Sequence, residues 1–205
     1  MVSRTETYNL IITGVGGQGN VLTSQLIGQA LVNRGYFVTI GETYGMAQRG
    51  GSVMSHIRIA RKKQLPPLIP KGKGGIIVAL EPVEALRVLE AYGNPHAVVL
   101  VNTHPIYPID VTTGNALYPD FKEIRKALEG HSRKICSIDA TEKAIKLGSP
   151  ILANMIMIGA LLSLKLIPVN IEEFRKNLSN RFTQRRFEIN AKAIETGEKM
   201  IQESL

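Results

Sequence analysis

The sequence predicts an α/β fold of Rossmann-like type: an open, mostly parallel sheet with helices on both faces and a C-terminal helical segment. Three observations predict it. The apolar run Tyr8–Thr13 meets the glycine cluster Gly14-Val15-Gly16-Gly17-Gln18-Gly19 and then the helical stretch Val21–Leu31. Further apolar runs of strand length follow at Phe37–Ile40, Ile76–Leu80, Ala97–Val101 and Lys134–Ile138. Helical stretches separate the later runs, the alternation that gives parallel pairing. At 205 residues, with 44% hydrophobic and 20% charged side chains, the chain fits one domain over 1–205 with a sizeable core.

The first unit is strand, glycine turn, helix. Side chains would block the tight backbone path and keep a ligand from the amides, so the turn calls for glycine. The N–H groups that open the helix, with its dipole, suit phosphate or diphosphate. Gly14, Gly16 and Gly19 match G-x-G-x-x-G, and the acidic Glu42 follows about 20 residues on, where a dinucleotide-binding unit places its ribose-binding acid. The same glycines also suit close helix–strand packing, and the motif alone does not separate the two readings.

After Phe37–Ile40 comes a Gly-punctuated loop, Glu42 to Ser52, where a dinucleotide-binding unit would move into another helix. It carries Arg49 beside Gly50-Gly51 and enters Val53–Ile59, which alternates like a half-buried strand. Loops after parallel strands gather at the carboxyl edge of the sheet, so both glycine loops are expected at one crevice. Arg49 there suits a forked contact with carboxylate or phosphate. Pairing of Arg49 with Glu42 is the structural alternative.

Further along, Gln64–Pro70 holds three prolines and reads as an extended connection. Lys71–Gly75 turns into the buried strand Ile76–Leu80. Glu81-Pro82 opens a helix to about Tyr92, with proline where its missing N–H costs nothing. Gly93-Asn94-Pro95 stops that helix, and Ala97–Val101 is another core strand. The excursion Asn102–Pro119 is long enough to be functional or mobile, with room for a short strand. Then follow a helix Asp120–Leu128, the strand Lys134–Ile138, and a helix Ala140–Leu147. Gly148-Ser149-Pro150 separates this from an apolar helix at Asn154–Leu164. Asn170 caps a helix Ile171–Leu178, whose first turn carries Glu172 and Glu173. The closing helix, near Arg185–Gln202, spaces Ile189, Ala193, Ile194 and Ile201 helically.

Composition narrows the function classes. Twenty-five basic against 17 acidic side chains give a net charge of +8, which attracts nucleic acid, acidic proteins or polyphosphates. The basic residues cluster at Arg58, Arg61, Lys62, Lys63, Lys71 and Lys73, and again at Arg181, Arg185 and Arg186. No aromatic interleaving or nucleic-acid motif accompanies them, so nucleic acid ranks low among the partners. A lone Cys136 rules out an intrachain disulfide and any iron–sulfur cluster ligated by cysteines of this chain alone. It lies in an apolar run and reads as an inert buried thiol. His56, His96, His104 and His131 lack metal spacing, and His56 reads as structural. Tyr44, Gln48 and Asn154 have the reach for a ligand or for backbone groups. No signal-peptide core begins the sequence, and Ile151–Leu164 is shorter than the ~20 residues of a bilayer span, so a cytoplasmic location is expected.

The glycine cluster Gly14–Gly19 together with Tyr44-Gly45-Met46-Ala47-Gln48-Arg49-Gly50-Gly51-Ser52-Val53 resembles the gamma-type subunit of the 2-oxoacid:ferredoxin oxidoreductase family. Within it the wording is most like the beta subunits of the indolepyruvate branch. Asp139–Glu142, Gly148–Pro150 and Asn154–Leu161 are similar as well, so the likeness covers most of the chain. The resemblance implies a non-autonomous subunit of an enzyme that decarboxylates an aryl 2-oxoacid oxidatively to its acyl-CoA and reduces ferredoxin. It implies thiamine diphosphate and iron–sulfur clusters on a larger partner, with coenzyme A as co-substrate and no cofactor held by this chain alone. The expected binding set is Gly14, Gly16, Gly17, Gln18, Gly19, Tyr44, Gln48, Arg49, Gly50, Gly51 and Ser52, with no metal ligand and no catalytic residue assigned. An autonomous NAD-dependent oxidoreductase and a non-catalytic basic module stay open as alternatives.

Overall fold

The chain was analysed as a computed structural model describing residues 7–45 and 51–204. Six strands form one sheet: β1 (Thr7–Val15), β2 (Phe37–Tyr44), β3 (Ser52–Ala60), β4 (Ile76–Ala79), β5 (Val98–Asn102) and β6 (Lys134–Ile138). Their order across the sheet is β2-β3-β1-β4-β5-β6. The strands β1, β4, β5 and β6 run parallel, as predicted.

At the other end of the sheet the pairing differs from the expectation. The strand β2 runs on past Ile40 to Tyr44 and forms an antiparallel hairpin with β3, and β3 pairs antiparallel with β1. Glu42–Tyr44 and Ser52 of the expected loop are therefore strand, and 46–50 lie outside the described residues. The reason lies in the sequence of β2, an edge strand of partial exposure that carries Thr39, Glu42 and Thr43. With one face only half buried, its apolar alternation fades before its hydrogen bonding does. Because β3 is antiparallel to both neighbours, β2 ends and β3 begins at the edge where β1 ends. Val15 stands opposite Ser52, and Tyr44 opposite Val53.

Alternation along β1 sends Leu10 and Ile12 to one face and Ile11 to the other, each buried. The first face packs on α1 (Asn20–Asn33) and on the C-terminal helices α5 (Ala140–Lys146), α6 (Ala153–Ser163), α7 (Ile171–Ser179) and α8 (Gln184–Gln202). The second packs on α2 (Pro82–Tyr92) and α4 (Phe121–Glu129). Over β3, the Pro-rich segment takes the place of a helix: Ile69 is buried and donates its N–H to His56 Nδ1 at 3.3 Å, and Pro67 packs on Gly41. Burial lowers the His56 pKa from its ordinary 6.5, which keeps the ring neutral, and it packs edge-on to Tyr92. His56 is structural.

Asn170 caps its helix as predicted, and Asp120, expected as a helix residue, is a cap as well. Asp120 and Asn170 each form a capping box, with Glu123 and Glu173 respectively. Helix α6 is apolar all round and buried all round, from Asn154 to Leu162. It crosses α8 at Gly159 and Gly197, where a Cβ on either glycine would overlap a backbone carbonyl of the other helix, Ile194 or Ile156. Of the predicted core positions on α8, Ala193, Ile194 and Ile201 are buried, whereas Ile189 is exposed one turn before the contact begins. The excursion after β5 contains a short helix, α3 (Ile109–Thr112), in place of a strand.

The basic cluster is partly internal. Arg58 bonds Asn9 and the carbonyls of Pro66 and Leu68, tying the Pro-rich segment to the sheet. Arg61 donates to the Tyr36 hydroxyl at 2.7 Å and lies over its ring. Cys136 is half-buried and burial raises its thiol pKa, as an inert thiol requires. No described helix is long and apolar enough to cross a membrane.

Candidate ligand site at the carboxyl edge of the sheet

The glycine bend is a continuation of β1. Gly14 and Val15 still pair with β3, and the chain turns at Gly16–Gly19, with positive φ at Gly17 (104°) and Gly19 (86°). The side chain of Gln18 clasps this turn from below. Its Oε1 accepts the Val15 N–H at 2.8 Å, and its Nε2 donates to the Leu80 carbonyl at 2.9 Å. The same carbonyl accepts from Asn102 Nδ2 at 3.1 Å, and Asn102 Oδ1 receives the Ala140 N–H at 3.0 Å. The ends of β1, β4 and β5 and the start of α5 are thus held by one belt of amides.

The two glycine loops do meet. The Gly16 N–H donates to the Gly51 carbonyl at 2.9 Å, and Val53, two residues on, accepts from Asn20 Nδ2 at 3.0 Å. This contact also corrects part of the sequence reading. The Gly16 amide is spent on the hairpin, the Gln18 side chain on its clasp, and Gly14 is a packing position enclosed by Gln18, Leu80 and Asn20. Ser52 likewise donates its hydroxyl inward, to Glu84 Oε2 at 2.5 Å. The amides of Gly17, Gly19, Asn20 and Val21 find no acceptor among the described residues, as the opening turn of a helix leaves them.

Those amides border a hollow of about 300 Å³ formed by Gly16, Gly17, Gly19, Asn20, Val21, Tyr44 and Val53. On the other side of the bend lies a larger cavity of about 560 Å³, walled by Leu80, Ile106, Ile151 and Ala153 with Thr141, His104 and Asn154. Asn154 is 3% exposed, and its carboxamide has no hydrogen-bond partner among the described residues. It presses against Gly19, where a Cβ would overlap its Nδ2. The bend is a saddle between a cradle of amides and an apolar cavity that the Asn154 carboxamide borders.

Tyr44 is exposed at the hairpin and donates its hydroxyl to Glu42 Oε2, whose charge and hydrogen bond raise the tyrosine pKa. Glu42 Oε1 accepts from Ser24 at 3.0 Å, so both carboxylate oxygens are engaged within the fold. Glu42 thus serves the fold by linking α1 to β2. Gln48, Arg49 and Gly50, with Met46 and Ala47, lie outside the described residues.

Sequence reasoning missed two acids. Glu81 and Glu84, on the first turn of α2, are 2% and 3% exposed. Glu81 Oε2 caps the Glu84 N–H at 3.0 Å, while its Oε1 accepts from the Tyr118 hydroxyl and the Ile106 N–H, fastening the segment that walls the cavity. Burial raises the Glu81 pKa above its ordinary 4.5, and burial with the Glu81 contact raises that of Tyr118. The native chain then holds a proton that the unfolded chain releases above about pH 4.5, so this group's contribution to stability falls as pH rises from there through the raised pKa. Glu81→Gln is neutral at every pH. In urea unfolding, the stability of Glu81→Gln relative to the parent is expected to increase between pH 4.5 and 7.5. Its scale is ~1.4 kcal/mol per tenfold change in the acidity of the carboxyl. A gap that stays constant contradicts the assignment.

Residues 9–200 match the pyruvate ferredoxin/flavodoxin oxidoreductase family. The chain belongs to that family. Indolepyruvate oxidoreductase subunit IorB of Pyrococcus horikoshii is 36% identical over 199 residues, 97% of this chain and 98% of the relative. The gamma subunit of a keto/oxoacid ferredoxin oxidoreductase from Geobacter sulfurreducens superposes with a TM-score of 0.68 at 22% identity, covering 96% of this chain and 99% of that one. A 2-oxoglutarate:ferredoxin oxidoreductase from Magnetococcus marinus, solved with 2-oxoglutarate, coenzyme A and succinyl-CoA bound, superposes with a TM-score of 0.73 at 20% identity. There the match spans 97% of this chain but 32% of the neighbour. As the resemblance implied, the chain is a member of the 2-oxoacid:ferredoxin oxidoreductase family, and its fold is that of the gamma subunit from Geobacter sulfurreducens.

Among the described residues of this family member, no group of His, Cys, Asp or Glu has the arrangement of a metal site. With one cysteine in the whole sequence, the chain also lacks the thiolates of a Cys-ligated cluster. What it offers is backbone amides, a carboxamide, a shaped cavity and the loop that carries Arg49.

Proposed function

We propose that the chain is the small, non-autonomous subunit of an indolepyruvate-type 2-oxoacid:ferredoxin oxidoreductase, one gamma-type domain over 1–205 that works in the cytoplasm. On the larger partner, thiamine diphosphate supplies the decarboxylation of the aryl 2-oxoacid, and iron–sulfur clusters carry the electrons to ferredoxin. This chain forms one wall of the shared site and holds coenzyme A, the acceptor of the acyl group. The amides of Gly17, Gly19, Asn20 and Val21, at the positive end of α1, receive its diphosphate, and Arg49 closes on the phosphates from the hairpin tip. Tyr44 borders the same hollow. Gly14, Gln18 and Ser52 serve by shaping the bend and the tip, and Gly50 and Gly51 by letting the tip approach it.

The observation that supports this reading is the Gly16–Gly51 hydrogen bond, which joins the last residue of the second loop to the glycine bend. Coenzyme A bound to the Magnetococcus marinus enzyme, and the indolepyruvate oxidoreductase name of the Pyrococcus horikoshii relative, support the choice of ligand and substrate. The chain's part is then positioning and electrostatics, with the reactive groups elsewhere.

The test is reconstitution. The isolated chain is expected to show no 2-oxoacid-dependent ferredoxin reduction, and addition of the larger partner to restore it. In the assembled enzyme, Arg49→Lys keeps the charge but loses the planar fork, and the apparent affinity for coenzyme A is expected to fall about tenfold. Turnover by the isolated chain, or an unchanged coenzyme A affinity in Arg49→Lys, contradicts the proposal.

A further inference from the structure

The buried carboxylate of Glu84 reaches the ligand site through the hairpin. We infer that Glu84 is a positioning residue: through Ser52 it sets where the Gly51 carbonyl sits against the glycine bend. This rests on the coenzyme A reading above for its effect on activity, but not for its effect on the loop.

The connection is continuous. Arg87 Nη1 donates to Glu84 Oε1 at 2.7 Å, which fixes the carboxylate, and the Ser52 hydroxyl donates to Oε2 at 2.5 Å. Ser52 opens β3, and the preceding residue, Gly51, accepts the Gly16 N–H at 2.9 Å. A hydroxyl bonded at this length to the carboxylate of an Arg–Glu ion pair belongs to the short, charge-assisted class, about twice as strong as a neutral pair. Removing a charge from water is costly. Here the Arg87 guanidinium, the N-terminal turn of α2 and the Ser52 hydroxyl offset that cost. Ser52 is the residue next to Gly51, so its hydroxyl bond to Glu84 fixes the backbone directly beside the Gly51 carbonyl that accepts from Gly16.

A carboxylate that served stability alone would act on the whole fold. A positioning carboxylate acts first on the Gly16–Gly51 contact. The discriminating measurement is amide hydrogen exchange by NMR on the full chain without ligand, with the Leu100 amide of β5 as reference for global opening. Ser52→Ala and Glu84→Ala are each expected to speed exchange at the Gly16 amide about tenfold with Leu100 unchanged, and the double variant to do no more than either alone. Glu84→Gln keeps an acceptor for the Ser52 hydroxyl and is expected to restore most of the protection. If Glu84→Ala fails to fold, Ser52→Ala carries the measurement.

In the assembled enzyme, Glu84→Ala is expected to raise KM for coenzyme A about tenfold, more than it lowers kcat, with recovery in Glu84→Gln. Unchanged exchange at Gly16 overturns the inference, and so does equal acceleration at Gly16 and Leu100. Faster exchange at Gly16 with no change in KM for coenzyme A leaves Glu84 in its role and overturns the coenzyme A reading instead.

Discussion

Gly197→Ala is expected to destabilise the chain by roughly 3–4 kcal/mol, the upper end of what overpacking does to a core. The Cβ would overlap the Ile156 carbonyl and crowd the Ala160 N–H, and both belong to the backbone of α6. A side chain in the way can change rotamer, but a helix backbone can only move as a body. Helix α6 is buried on all sides, between the sheet and α8, so its displacement would open gaps against β5 as well. The reciprocal site makes the same prediction, because a Cβ at Gly159 would overlap the Ile194 carbonyl. Denaturant unfolding of Gly197→Ala beside Lys192→Ala, an exposed position on the same helix, is the measurement. The lysine variant is expected to stay within about 0.5 kcal/mol of the parent. A glycine variant that matched it would show that α8 sits farther from α6 than the structure places it.

That crossing shows what a linear sequence conceals. The apolar composition of α6 announced a buried helix, and the spacing in α8 announced one buried face. Neither reveals that two glycines 38 positions apart stand opposite each other, since this depends on a tertiary approach. The parallel half of the sheet was legible because its strands are apolar on both faces. The hairpin β2–β3 was not, because an edge strand with Thr39, Glu42 and Thr43 gives a weak period and because no helix follows it.

The same division runs through the site. Spacing located the bend Gly14–Gly19, and the Gly-punctuated loop located its neighbour. Which amides remain open was beyond it, because the Gly16–Gly51 bond depends on the antiparallel register that places Val15 opposite Ser52. Glu81 before Pro82 reads locally as the start of a helix, and it is the cap. Its burial, and that of Glu84, depends on Tyr118 and Ser52 arriving from distant parts of the chain. Polar residues directly after core strands, Glu81 after β4 and Asn102 ending β5, were the available signal, since that edge is where such sheets bind ligands.

On the proposed coenzyme A reading, Gly19→Ala is expected to weaken binding of that ligand by at least tenfold, and the comparison with Gly17→Ala isolates the cause. Both glycines have left-handed backbone, φ 86° and 104°, so alanine at either carries a strain of about 1–2 kcal/mol. At Gly17 the added Cβ meets nothing within 4 Å, and strain is the whole intramolecular effect. At Gly19 it overlaps the Asn154 carboxamide as well, and that group is buried with the cavity as its one direction of retreat. Gly19→Ala therefore moves the helix N-terminus and a wall of the cavity together, whereas Gly17→Ala moves the bend alone. Shortening the obstructing side chain should relieve the overlap but leave the strain. The Gly19→Ala/Asn154→Ala double variant is then expected to be more stable than the sum of the single changes predicts, with a coupling of about 1–2 kcal/mol. Stability by denaturant unfolding and coenzyme A affinity by calorimetry on the assembled enzyme provide the two readings. Strict additivity in the first would mean that Asn154 does not rest on the glycine bend. Equal coenzyme A affinities for the two single variants would mean that backbone strain, and not the shared wall, governs what the bend can hold.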